Sequence, residues 1–496
     1  MTASLANRVE AAIHASRWKA LFFIAMAQLM VVLDATIVNI ALPSAQNDLG
    51  LSDSNRQWVI TAYALAFGGL LLLGGRISSI WGLRRTFHIG LVGFALASAL
   101  GGAATNEAML LSARALQGLF GALLAPAALG LLSVTFTDPR ERAKAFGIFG
   151  AIAGGGGAVG LILGGVLTQY LNWRWTFFVN IPFAAVAVAG AVLVIREIPS
   201  QRNRTPLDVP GALLSVLGIG FLVYGFTSAE TSGWQSPVTL GSFGAAVVLL
   251  AAFVILQKKI RHPLLPLRVP LDRNRGGAYL SLGMSLAGVF AVFLFLTYYL
   301  QVVRGYSPVS AGLAFVPIIV GMVLGNTQIG GRLMTSVRPR LLMAGGFLTA
   351  AAGLLLLSSV DLDTSYAAVI LPGQFVMGLG LGTAFSPAMN VATQGVLPED
   401  AGAASAMVNT SQQIGGAVGT ALLNTIAASA TAGFLHTHAE PHSQAIVFHG
   451  LIEGYGRALM WGAGILTLSA IVAALFIDAD VVRQQQSEEG ALVMAH

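Results

Sequence analysis

Residues 20–42 read ALFFIAMAQLMVVLDATIVNIAL, a run long enough to cross a bilayer and interrupted by a single carboxylate, Asp34. A spanning helix needs about 20 apolar residues. A charged side chain in the middle of one is costly to insert, so an Asp in such a run marks a proton or substrate pathway. Two questions follow: whether the remaining chain is also built for lipid, and what Asp34 serves.

The chain has 496 residues, of which 55% are hydrophobic and 10% charged, with a mean hydropathy of +0.76. Soluble domains carry about 25% charged residues, so most of this chain belongs in a membrane. Fourteen apolar runs of spanning length can be marked, near 20–42, 57–79, 86–104, 108–132, 143–170, 175–195, 210–229, 238–257, 277–301, 310–331, 340–360, 366–392, 402–430 and 456–477. The first lacks the short apolar core and small-residue cleavage site of a signal peptide and is expected to stay as a span. The net charge of +6 is topological. With the N-terminus inside, all but five of the 27 Lys and Arg fall on that same side; Arg56, Arg174, Arg304 and Arg457 lie opposite, and Arg114 lies within a span. This positive-inside pattern puts both termini in the cytoplasm, and it removes the reason to expect a nucleic-acid partner. The sequence contains no Cys, which excludes disulfides, Cys-zinc sites and thiol chemistry.

The segment 1–19 carries Arg8, Arg17 and Lys19 and reads as an amphipathic approach to the bilayer. After the second run comes GGRISSIWGLRR, residues 74–85, a glycine-bearing turn held at the cytoplasmic face by arginines. GGR returns at Gly330, Gly331 and Arg332, again after an outside loop and one span. A repeat at that offset implies two related six-helix halves, the plan of many secondary transporters. The organisation expected is therefore a cytoplasmic segment 1–19, an N-terminal bundle 20–195, a linker 196–276 holding two extra spans, a C-terminal bundle 277–477 and a tail 478–496. His436, His438, His442 and His449 cluster in the last outside loop and are read as solvated, with no metal site expected.

Asp34 needs a partner, and Arg114 in the fourth run is available. Asp34 lies eight residues before the outer end of the first span and Arg114 six residues after the outer end of the fourth. At 1.5 Å per residue both sit about 9–12 Å below the outer surface, so an ion pair is geometrically possible. A neighbouring Arg favours the charged carboxylate and desolvation favours the protonated one. Small rearrangements between these influences are what a proton-coupled carrier requires; the bland reading is a static pair that fixes helix register. In the fifth run, Gly156, Gly160 and Gly164 recur every fourth residue, followed by Gly165, and form one face on which helices can approach closely. Tyr63, Gln117, Tyr298, Gln374, Asn409 and Gln413 are polar groups at plausible cavity depth. No GxSxG elbow, HExxH, phosphate-binding GxxxxGK[ST] or carboxylate pair within a span occurs, so an enzyme or ATP-driven pump is not expected.

Taken together, these motifs resemble the major facilitator superfamily, and within it the fourteen-span drug:proton antiporter family. LDATIVNIALP, residues 33–43, resembles that family's first-helix motif; GGRISSIWGLRR resembles its loop signature, with Gly75, Arg76, Ser79, Gly82, Arg84 and Arg85 as the switch-loop positions. RxxQG falls on Arg114, Gln117 and Gly118, GGAVGLILGG on residues 156–165, and NWRWTFFVNIP, residues 172–182, is close to a family segment. RGYSPVSAGL at 304–313 and AGAASAMVNTSQQIGGAVGTAL at 401–422 resemble C-terminal-half signatures.

The resemblance implies an all-α integral membrane protein of the bacterial inner membrane, with two six-helix bundles plus two extra central helices. It implies proton-coupled export of hydrophobic or amphipathic drugs or antibiotics by alternating access, with Asp34 and Arg114 in proton coupling. No cofactor is implied; the proton gradient drives transport, and one chain suffices, with a small substrate and membrane lipids as partners. Two departures modify this expectation. The family's usual Asp in the loop is Ser79 here, which predicts a weaker outward-facing lock, and its usual prolines in the fifth helix are Gly157 and Leu161, which predict a less kinked helix. Because Asp34 is the only deep carboxylate, neutral, zwitterionic or anionic substrates are expected over dications. The alternative on the same fold is a translocase for lipid or lipid-like molecules.

Overall fold

The computed structural model describes residues 2–52, 55–136, 139–195, 208–261, 263–334, 336–396, 401–438 and 443–478. The tail from 479 on, the linker stretch 196–207, His442 and the side chain of Ser79 lie outside the described residues.

In hydrocarbon every backbone polar group must be satisfied within its own element, which makes helices the natural form for these apolar runs. Among the described residues all regular elements are helical: α1 Thr2–Leu49, α2 Trp58–Trp81, α3 Leu83–Gly102, α4 Glu107–Thr135, α5 Pro139–Tyr170, the single turn α6 Trp175–Phe178, α7 Asn180–Val194, α8 Val209–Ser232, α9 Pro237–Lys259, α10 Arg273–Tyr298, α11 Pro308–Leu313, α12 Val316–Leu324, α13 Gly331–Leu333, α14 Pro339–Leu357, α15 Leu371–Thr393, α16 Ala401–His436 and α17 Gln444–Phe476. Side-chain caps start several of them; Asn106 accepts from the Met109 amide at 2.9 Å to open α4, and Asp272 from Arg275 at 2.9 Å to open α10. Twelve helical stretches among the described residues are long and apolar enough to cross a membrane. The third and fifth runs marked in the sequence, which are not among those twelve, form the 20-residue α3 and the 32-residue α5.

Several elements differ in detail from the sequence expectation. The first helix does not stop at residue 42 but runs through Pro43 to Leu49, so half of the expected outer loop is helix. Proline is tolerated in spanning helices where neighbouring groups take up the freed carbonyl. In the sixth run one residue, Val179, separates α6 from α7, and it keeps a right-handed helical backbone at φ −58° and ψ −26°, so Trp175–Val194 continues as one span with Asn180 opening α7. Three short π-helical segments, Tyr299–Val303, Gly325–Gly330 and Tyr366–Ile370, interrupt the second half. Such insertions occur frequently at functional sites.

The chain divides into two compact units. The first comprises residues 1–51, 58–212 and 307–312; the second comprises 52–57, 213–306 and 313–496. Helix pairing follows one scheme in both. In the first unit α1 packs on α5, α2 and α3 on α4, and α7 on α1 and α3. In the second, α10 packs on α16, α12 and α14 on α15, and α17 on α10 and α14. Glycines make the second-on-fourth contact in each unit. A Cβ on Gly74 would lie 1.9 Å from the Ala122 carbonyl, and one on Gly325 2.1 Å from that of Leu379. No side chain larger than hydrogen fits there.

Candidate functional site

Helices α4 and α7 deliver hydrogen-bond donors to Asp34 on α1, and α2 and α3 bond to those donors in turn. Asp34 Oδ2 accepts from Arg114 Nη1 of α4 at 2.7 Å. Its Oδ1 accepts from Gln117 Nε2 of the same helix at 2.7 Å and from Asn180 Nδ2 of α7 at 2.8 Å. Ser98 Oγ of α3 accepts from Gln117 Nε2 at 2.8 Å and from Asn180 Nδ2 at 3.3 Å. Arg114 also donates through Nε to the Val59 carbonyl of α2 at 2.7 Å and through Nη1 to Gln117 Oε1 at 2.9 Å, and it lies over the Tyr63 ring, 4.4 Å from its centroid. Asp34 is 0% and Arg114 1% exposed.

A buried ion pair is sustained only when its geometry is good and its remaining donors and acceptors are occupied. Both conditions hold, since each carboxylate oxygen accepts a charge-assisted or amide hydrogen bond at or below 2.8 Å. Adding a proton to Asp34 would remove the partner of a buried cation and oblige at least one donor to withdraw. Those donors sit on two different helices, α4 and α7.

The glycine stripe of α5 lies against the same part of α1. A Cβ on Gly156 would meet Val32, one on Gly160 would stand 2.0 Å from Thr36 Oγ1, and one on Gly164 would stand 2.8 Å from the Ile37 carbonyl. These three positions straddle the turn that carries Asp34. Gly165 faces another way: a Cβ on it would stand 2.6 Å from the Pro308 carbonyl on the segment 307–312 of the same unit.

In the loop between α2 and α3 the joint is one residue, Gly82, at φ 92°, a backbone conformation in the left-handed half of the map that favours glycine. Arg84 donates to the Val192 carbonyl at 3.0 Å, occupying one of the free carbonyls in the last turn of α7; Arg85 is exposed. Of the two glycines before Arg76, Gly74 makes the close approach to α4, whereas a Cβ on Gly75 would find Pro126 at an ordinary 3.8 Å.

The six polar residues read as cavity candidates fall into different surroundings. Gln117 and Tyr63 are buried members of the charged cluster, with Tyr63 stacked on Phe67. In the second unit Tyr298 lies beneath the guanidinium of Arg56, 3.9 Å from its ring centroid. Gln374 donates to the Ala314 carbonyl at 2.8 Å and is fully buried. Asn409 donates to the Ser405 carbonyl of its own helix at 3.2 Å, and Gln413 is half-buried on the same helix. Sequence reasoning singled out neither Ser98 nor Asn180 as functional; Asn180 was visible only as part of the segment 172–182.

The Major Facilitator Superfamily profile matches residues 24–420. The chain belongs to that superfamily. It is 50% identical over 465 residues to the puromycin resistance protein pur8 of Streptomyces alboniger, covering 93% of this chain and 92% of that protein. It is 39% identical to the cephamycin export protein CmcT of Amycolatopsis lactamdurans, over 84% of this chain and 86% of that one. Among solved structures it resembles an inward-facing, unoccupied bacterial homologue of the human lysosomal transporter Spinster, with a TM-score of 0.65 over 93% of this chain and 96% of that one at 16% identity. As a member of the superfamily this is a multi-pass membrane transporter, not an enzyme, and its relatives include antibiotic export and resistance proteins.

Proposed function

We propose that this transporter exports small hydrophobic or amphipathic antibiotics across the cytoplasmic membrane in exchange for protons, with Asp34 carrying the proton and Arg114 responding to it. The observation that carries this reading is the sealed Asp34–Arg114 pair, with its hydrogen bonds distributed over α1, α2, α4 and α7. With Asp34 charged, Arg114 is neutralised and these four helices are tied together. With Asp34 protonated, Arg114 keeps the Val59 carbonyl, Gln117 Oε1 and the Tyr63 face but loses its counter-ion, which favours a different packing. The α5 glycine stripe next to Asp34 lets α1 move without side-chain interlock. Counting α3 and α5 as spans gives fourteen, an even number that leaves both termini on one side, and the positive-inside charge pattern supports the cytoplasm as that side; alternating access driven by the proton gradient requires no cofactor. One chain is the functional unit.

The names of the relatives direct the first substrates to be tested. Proteoliposomes with an imposed pH gradient are to be given puromycin, a cephamycin and a panel of neutral, anionic, monocationic and dicationic drugs. Uphill accumulation that collapses with the proton gradient supports the reading. Transport of dications above every other class would refute the charge argument, since Asp34 is the only deep carboxylate.

A further inference from the structure

Asn180 is 0% exposed, and while its Nδ2 donates to Asp34 Oδ1 at 2.8 Å, its own Oδ1 has no hydrogen-bond partner. A buried amide oxygen left unbonded costs on the order of 1–3 kcal/mol, and such an atom in a native fold calls for an explanation. Gln117, the other amide on Asp34, differs: its Nε2 and its Oε1 are both engaged. Asn180 therefore contributes its donor to the carboxylate state and holds an acceptor in reserve.

The reserve acceptor matches the protonated state of Asp34. When a proton from water forms an O–H bond on Asp34 Oδ1, that oxygen becomes a donor and can no longer face Nδ2 of Asn180. A half-turn of the Asn180 amide brings Oδ1 to the carboxyl O–H. The same turn puts Oδ1 opposite Ser98 Oγ, which accepts from Nδ2 at 3.3 Å before the turn and carries a proton of its own to donate after it. Nδ2 moves into the position that Oδ1 vacates, so the turn exchanges one unbonded atom for another and the network survives in both states. No bond in the protein breaks, and the proton leaves by the reverse step. The ionisable groups facing Asp34 are Arg114 of α4 and Tyr63 of α2; α3, α6 and α7 present Ser98, Phe177 and Asn180, and α5 presents glycines.

We propose that Asn180 is the positioning residue for proton coupling: a two-way amide that donates to Asp34 when it is charged, accepts from it when it is protonated, and passes the change to the start of α7. The position supports this relay, since Asn180 lies in the first turn of α7, the helix that packs on both α1 and α3.

This rests on the proton-carrier reading, and infrared difference spectroscopy of the purified protein over an acid-to-alkaline series separates the two. The readout is the carboxyl C=O band that appears on acidification and is absent from Asp34→Asn. Asn180→Leu, which can neither donate nor accept, is expected to move that band to higher wavenumber because the carboxyl O–H loses its acceptor. It should also displace the pH profile of transport upward by up to about one unit, because the hydrogen bond lost to the carboxylate is stronger than the one lost to the carboxyl and only their difference shifts the profile. Asn180→Gln, which keeps both amide functions, should bring band and profile back toward wild type; Asn180→Ala, which also lacks a donor and an acceptor, is the alternative if the leucine variant does not elute as a single species. A band and profile unchanged in Asn180→Leu or Asn180→Ala would overturn the role of Asn180 and leave the carrier reading standing. A wild-type spectrum without any band sensitive to Asp34→Asn would overturn both.

Discussion

Replacing Gly160 by Ala adds one methyl group, and the structure says what that methyl meets. Its Cβ would lie 2.0 Å from Thr36 Oγ1, 3.2 Å from Thr36 Cβ and 3.3 Å from the Leu33 carbonyl, where ordinary contact begins near 3.4 Å. Thr36 cannot turn aside freely, because its hydroxyl is bonded to the carbonyls of Val32 and Leu33 at 3.0 and 3.1 Å. Either α1 and α5 separate or Thr36 abandons its rotamer. Overpacking of this kind costs about 1–3 kcal/mol, against which alanine regains up to about 1 kcal/mol of helix propensity. The net expectation is a loss of about 0–2 kcal/mol against wild type, and of about 1–3 kcal/mol against Gly157→Ala, in which the propensity gain is the same. Gly157→Ala is the internal control, since its Cβ would meet Thr36 Cγ2 at an unstrained 3.7 Å. Thr36→Ala should restore most of what Gly160→Ala loses by removing the 2.0 Å clash. Thermal unfolding of the purified protein reads stability, and proteoliposome uptake reads transport. Equal stability and transport in the Gly157 and Gly160 variants, or no rescue by Thr36→Ala, would refute the packing argument.

Two further outcomes follow from the same geometry. Asp34→Asn or Arg114→Gln alone leaves a buried group without its counterpart and should cost about 3 kcal/mol or more, whereas the double variant should be more stable than the sum of the singles by about 1–3 kcal/mol and remain inactive; strict additivity in a double-mutant cycle would deny the pair. Ser79→Asp introduces the charge that the loop signature otherwise carries and should lower the reactivity of cytoplasmic-side cysteine probes, and unchanged labelling would count against the weakened-lock expectation.

The charged half of the site could be read from the sequence because Asp34 and Arg114 each stand alone in an apolar run, and helix rise alone brings them to one depth. The glycine face of α5 was equally visible from its four-residue spacing, though not that it meets α1 beside Asp34. Ser98 and Asn180 were not visible as partners. Neutral polar residues recur throughout these spans, and nothing linear tells which of them faces Asp34. Tyr63 and Gln117 look like cavity residues by depth and polarity, yet the structure closes both around Arg114. At the fold level, apolar length located the helices but not the continuation of α1 through Pro43, because a proline ordinarily reads as a helix stop and is tolerated inside spanning helices.

The most direct test of the account is substrate-driven proton movement in proteoliposomes, comparing wild type with Asp34→Asn for a drug that the wild type transports. The account predicts that the drug moves protons in the wild type, and that the variant inserts normally but neither moves protons nor accumulates the drug against its gradient. An Asp34→Asn protein that still drives the drug uphill at the expense of the proton gradient would show that the buried pair only holds the helices in register.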